Sequence, residues 1–284
     1  MSRPNRAPRP GVTRGHNWAP TAHRGFARAV LASAPFKFLP EGRPMKLLSL
    51  RCAAALTVLA ATSAHAADIT NVGALNQTQF RALSEDLGAA VSYKPLVPAE
   101  TLGLIGFDIG LAVTGTSLEH RDVLSLAAGG STVPKTLPLV SARAVKGLPF
   151  NFDIGVALGA VPDSNVRTTG GELRWAFVDG GMLMPAIAVR GAISRLSGVD
   201  QLKVSTSSID VSISKGFLMF TPYAGVGTVN IKTDAPGTGL AKESFSKSKV
   251  FAGININLGL LNLAAETDKT GDNTSYGLKA GFRF

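Results

Sequence analysis

Ser275-Tyr276-Gly277-Leu278-Lys279-Ala280-Gly281-Phe282-Arg283-Phe284 is the stretch whose alternation decides the fold. Tyr276, Leu278, Ala280, Phe282 and Phe284 share one parity; Ser275, Gly277, Lys279, Gly281 and Arg283 share the other. A strand sends successive side chains to opposite faces, so this segment has one apolar and one polar face. Its length of about ten residues is what a tilted strand needs to cross a bilayer. The same period recurs upstream. Phe107, Ile109, Leu111 and Val113 alternate with small or polar residues, as do Phe152, Ile154, Val156 and Leu158. Leu173, Trp175 and Phe177, then Ile187, Val189, Gly191 and Ile193, then Ile254, Ile256 and Leu258 repeat it. Weaker cases lie at 137–146, 201–214, 217–231 and 261–267. In 201–214 the apolar parity switches between Val204 and Ile209, which predicts a bulge.

The closing segment resembles the terminal strand of a bacterial outer-membrane β-barrel, where a final Phe completes the signal read by the assembly machinery. On that resemblance Tyr276, Leu278, Phe282 and Phe284 form the assembly signal. The implied partners are outer-membrane lipid, the barrel-assembly machinery and periplasmic chaperones. The implied fold is an all-β, transmembrane, antiparallel up-and-down barrel spanning 104–284. The connectors fit it: 147–149, 179–181, 215–216 and 259–260 are tight, whereas 161–166, 196–200, 268–274, 117–136 and 232–249 are longer. Short turns at one end and longer loops at the other are the arrangement of such barrels. Counted back from Phe284, whose end is periplasmic in the resembled class, every tight turn falls on the periplasmic side.

Ten strands are expected from 104 to 284. Ahead of them, 67–103 is expected to hold a short helix over 76–87, capped by Thr78, with Phe80, Leu83 and Leu87 at helical spacing. A further strand at 88–95, paired with a short one near 69–72, would raise the count to twelve, because bacterial single-chain barrels use even numbers. The helix is expected to link or to rest at a rim in preference to plugging the lumen.

Met45-Lys46-Leu47-Leu48 opens a basic n-region, followed by a short apolar run at 52–61 and the ending Ala64-His65-Ala66. These are the parts of a secretory signal peptide over 45–66, cleaved near Ala66. Residues 1–44 then read as an upstream extension before a start at Met45. This reassigns the charge. The whole chain is +10, but ten of its 29 basic and one of its 19 acidic residues precede Ala67. The downstream part is nearly neutral, so no nucleic-acid partner is expected. Cys52, the single cysteine, lies in the signal, which excludes disulfides and thiolate metal sites beyond it.

In the barrel reading the polar parity faces the lumen. The charges assigned there are Asp108, Arg143, Asp153, Glu172, Arg174, Arg190, Asp210, Glu266, Lys279 and Arg283. Five acids balance five bases, as burial in a narrow lumen requires. Asp108 or Glu266 is the expected partner of Lys279 and Arg283, Asp108 if the last strand closes on the first. Aromatic residues near strand ends (Phe150, Phe152, Trp175, Phe177, Phe217, Phe220, Tyr223, Tyr276, Phe282 and Phe284) suit the membrane interface. No cofactor or metal site is expected. The functional expectation is a narrow porin-like or solute-binding barrel passing or holding a small solute. The alternative is a closed structural or adhesive barrel acting through its outer loops. A third reading, an envelope lipid hydrolase or protease, uses His120 with Ser117 or Ser125 nearby.

Overall fold

The computed structural model describes residues 68–181 and 183–284. The upstream extension at 1–44 and the signal peptide at 45–66 lie outside the described residues. Ten strands form the wall: β1 Phe107–Ser117, β2 Thr136–Gly147, β3 Phe152–Ala160, β4 Arg167–Val178, β5 Ala186–Ser197, β6 Lys203–Ser214, β7 Phe220–Asp234, β8 Glu243–Leu258, β9 Leu261–Thr270 and β10 Asn273–Arg283. Each pairs antiparallel with its sequence neighbours, and β10 closes on β1 with Ile109 opposite Phe282 and Ala112 opposite Lys279. Closure removes both sheet edges, the condition for a sheet to live in hydrocarbon. Followed once round, the registers accumulate a stagger of about twelve residues, which for ten strands gives a tilt of roughly 40°.

The strand count is therefore ten. Residues 88–95 form no strand, because the helix continues through them to Val91 before the chain extends. The wall begins at Phe107, where 104 was expected. No bulge interrupts β6, whose pairing with β5 and β7 is unbroken. Val204 faces inward like Asp210, into an apolar cluster at the barrel mouth, and this is what mimicked a parity switch. The irregularity lies instead in β4, between Ala176 and Val178.

The Phe284 end carries the connections 148–151, 179–185, 215–219 and 259–260; the opposite, loop end carries 118–135, 161–166, 198–202, 235–242 and 271–272. Several of the expected connectors shift by a few residues, and three change more. The turn at 179–181 extends to 185. The loop expected at 268–274 shrinks to Gly271-Asp272, because β9 and β10 run almost to meet. Most of 232–249 is strand. The loop at 118–135 contains a helix of its own, α2, Arg121–Ala127.

Helix α1, Gln77–Val91, starts at a capping box: Asn76 accepts from the Gln79 amide at 2.9 Å, and the Gln79 side chain accepts from the Asn76 amide at 3.0 Å. Asn76 takes the role expected of Thr78. The helix buries Phe80, Leu83, Leu87, Ala90 and Val91 against Leu124, Leu137, Leu196 and Val204, an apolar core that fills the loop end of the barrel. At Gly88 the helix comes so close to β7 that a Cβ would meet Ile231 at 2.5 Å. Only glycine lets the helix sit that deep.

Candidate functional site: the occupied lumen

After α1 the chain runs through the interior of the barrel as a strap, residues 92–103, then turns at the exposed Leu104 and Ile105 to join the wall at Phe107. An extended segment inside a closed barrel has no neighbouring strand to satisfy its backbone, and unmet buried amides are costly. The lumen side chains do this instead. Three cations meet strap carbonyls: Lys249 Nζ donates to Tyr93 at 2.5 Å, Arg143 to Pro95 at 3.1 Å, and Arg174 to Pro98. Three acceptors meet strap amides: Glu266 takes Leu96 N–H at 2.8 Å, Ser214 takes Ala99 N–H at 3.1 Å, and Asp153 takes Leu102 N–H at 3.1 Å. Pro95 and Pro98 have no N–H to satisfy and favour extended backbone around them. Leu96 is fully buried with φ of 53°, a left-handed conformation held only where surroundings over-determine it.

All ten charges assigned to the lumen point inward; nine are buried, and the Arg283 side chain is 10% exposed. Most are paired. Lys279 Nζ lies 2.6 Å from Asp108 across the β1–β10 seam. Arg174 meets Asp153 at 2.7 Å, and Arg190 meets Asp210 at 2.6 Å and Glu172 at 3.5 Å. Arg283 reaches the strap's Glu100 at 3.3 Å. Glu266 accepts from the Tyr223 hydroxyl at 2.9 Å, so Tyr223 belongs to the lumen and not to the aromatic interface. Arg143 stacks over the Tyr93 ring at 4.7 Å.

Other members were not expected. Lys94 pairs with Asp268 at 2.9 Å and donates to Ser275 at 2.9 Å. Asp268 and Lys249 carry the inward parity of β9 and β8; they lie outside the expected segments because β9 runs on past 267 and β8 begins before 250. Lys94 shows no periodic signal at all. At the mouth, Asp86 of α1 accepts from the amides of Glu119 and His120 at 3.2 and 2.8 Å and from the Asn273 side chain at 2.8 Å. The His120 ring meets Asp86 at 3.3 Å. Ser117 Oγ accepts from Thr274 N–H and Ser125 Oγ donates to the Ser131 carbonyl, whereas the hydrogen bond of the His120 ring is to Asp86.

The outward face completes the assignment. Ile109, Leu111, Ile154, Val156, Ile193, Ile209, Val226, Val250 and Leu278 are exposed, a contiguous apolar surface that no water-facing sheet would carry. A ring of aromatic residues edges it at the Phe284 end, with Phe107 5.5 Å from Phe284, Phe152 5.8 Å from Trp175, and Trp175 5.9 Å from Phe177. Tyr276 and Leu278 lie outward too, Tyr276 towards the loop end. The fold is a bacterial outer-membrane β-barrel. No described protein family and no curated protein matches the chain. Similar solved structures include the N-terminal β-barrel domain of OprF from Pseudomonas aeruginosa, 12% identical, covering 64% of this chain and 99% of that one at a TM-score of 0.32. The KdgM porin is 9% identical over 62% of this chain and 99% of its own, TM-score 0.32. OprG from Pseudomonas aeruginosa is 11% identical over 67% and 99%, TM-score 0.31.

Proposed function

We propose that this barrel is a self-plugged outer-membrane protein that works through its loop end, in the structural or adhesive manner, and not by steady solute flow. The Phe284 end faces the periplasm, Tyr276, Leu278, Phe282 and Phe284 serve as its assembly signal, and the loops face outward. What carries the reading is the strap: its carbonyls and amides are the ligands of the lumen charges, so the groups that would line a pore are already spent. In planar bilayers the intact protein is expected to be silent across salts and voltages, whereas a variant lacking 68–102 should conduct. Steady channels from the intact protein would overturn the proposal.

A second reading, passage of a small solute when the strap shifts, rests on one observation. Beside the strap lies a small cavity of about 30 Å³ whose lining mixes Val91, Leu139 and Ala157 with Thr114, Ser141 and Arg143. That is space for water, and the start of a path if the strap moves.

A further inference from the structure

The outward face changes character near the loop end. Below, it is apolar; above, every strand from β4 to β7, and then β9, places one basic side chain on it: Arg167, Arg195, Lys203, Lys232 and Lys269, all exposed. Asp234 is the one acid on the outward face of the strands among the described residues, and Lys242 neutralises it at 3.0 Å. None of the five bases forms an ion pair among the described residues. The acids of the wall have turned inward, which leaves this belt without internal compensation.

The registers bring four of them together; Lys269 stands apart, because it opposes Val250 on β8 whereas Lys232 opposes Ser244, six residues away. Arg195 opposes Ser205, which opposes Lys232, so the two cations flank one serine on a single line across three strands, roughly 10 Å apart. Arg167 lies diagonal to Arg195, through the Thr169–Arg195 and Arg167–Ser197 pairs, and Lys203 diagonal to Lys232. Lys269 borders an open groove of about 550 Å³ whose lining mixes Val250 and Ala252 with the hydroxyl residues Ser248, Thr267 and Thr274. Exposed cations directly above a hydrocarbon-facing band attract anionic lipid headgroups, and hydroxyls beside them supply further donors.

We propose that this belt binds the phosphorylated headgroup of lipid in the leaflet at the loop end, specifically a lipid A-type glycolipid whose two phosphates bridge neighbouring cations. A singly charged headgroup would satisfy one cation and leave the next uncovered, so the spacing favours the doubly phosphorylated one. The proposal rests on the outward face alone, and whether the lumen conducts does not bear on it.

The test uses the folded protein in zwitterionic micelles, with binding of fluorescent lipid A as the readout. The variant R167Q/R195Q/K203Q/K232Q/K269Q should bind at least tenfold more weakly, and the pair R195Q/K232Q by a smaller, intermediate factor. The control K146Q/K215Q, two lysines at the Phe284 end, should bind as the parent does, and all should keep the heat-modifiable migration of a closed barrel. Equal affinity in the fivefold variant would overturn the proposal, as would an equal loss in the control. Phosphatidylglycerol binding as tightly as lipid A would overturn the preference for two phosphates. Inorganic phosphate displacing lipid A at millimolar concentration would show a general anion site in place of a lipid site.

Discussion

At the loop end the interior of the barrel is filled by side chains, with Phe80, Leu83 and Leu87 of α1 packed on Leu124, Leu196 and Val204. Towards the Phe284 end it is filled by a backbone, the strap, held by charged groups of the wall. Both fillings exclude solvent, but they fail differently. An apolar plug loses roughly in proportion to the volume removed, because each methylene contributes its own contacts. The polar one fails by pairs: taking away one partner strands the other charge in a dry interior. The lumen thus joins a tolerant closure to an intolerant one within a single chain.

The largest expected effect is at Asp153, which serves Arg174 at 2.7 Å together with the Leu102 amide and the Thr101 hydroxyl. Asp153→Ala should destabilise the barrel by about 3–5 kcal/mol, read as a fall in the urea midpoint of the heat-modifiable form. Replacing both members, Asp153→Leu with Arg174→Met, should recover the part of that loss due to the stranded Arg174 charge, although the Leu102 amide and the Pro98 carbonyl still lose their partners. If the double variant is no better than the single one, the pairing account of this half is wrong.

Leu83 tests the other half. Leu83→Ala should cost about 2–5 kcal/mol locally, and hydrogen exchange should quicken in α1 while the strap amides of Leu96 and Leu102 stay protected. Quickened exchange at both would mean that the two closures unfold as one unit and that the contrast drawn between them is too sharp.

These halves were also unequally legible. The wall was readable because a lipid-facing strand shows its period in the residues themselves, as Phe107 to Val113 and Tyr276 to Phe284 do. The Lys279–Asp108 pair followed from closing β10 on β1, an inference from topology and parity. The strap was not readable. Its segment, Tyr93-Lys94-Pro95-Leu96-Val97-Pro98, has neither helical nor strand period, because its backbone is satisfied by side chains from four different strands at irregular intervals. The depth of α1 was hidden for a related reason: nothing local to Gly88 announces that Ile231, far along the chain, will lie against it. The basic belt was visible only as residues, since outward parity at strand ends needs the strand bounds that the sequence blurred at β8 and β9.

The smallest effect concerns the rim, where α1 meets water and the comparison between apolar and charged closure is weakest. Glu85 lies between Arg81 Nε at 2.9 Å and Lys247 Nζ at 3.1 Å. Burial alone would raise its pKa, but hydrogen bonds and charge from Arg81 and Lys247 outweigh it and hold the carboxyl below the usual carboxylate range. A carboxyl depressed in the folded state stabilises fully above its unfolded pKa, and that contribution fades as pH falls through the folded value. The seating of α1 should therefore be unchanged from pH 7 to about 5 and weaken below about pH 4. Glu85→Gln should remove the part of this acid sensitivity that Glu85 supplies, at a cost of about 0.2–1 kcal/mol at neutral pH, because the pair is partly exposed. Half-molar salt should shrink that cost further, since the Debye length then drops to a few ångströms. Hydrogen exchange of α1 measured at pH 6 and pH 4 in both proteins checks it: an acid response that survives in Glu85→Gln at full size would place the sensitivity in the buried charges of the lumen, on the intolerant side of the contrast.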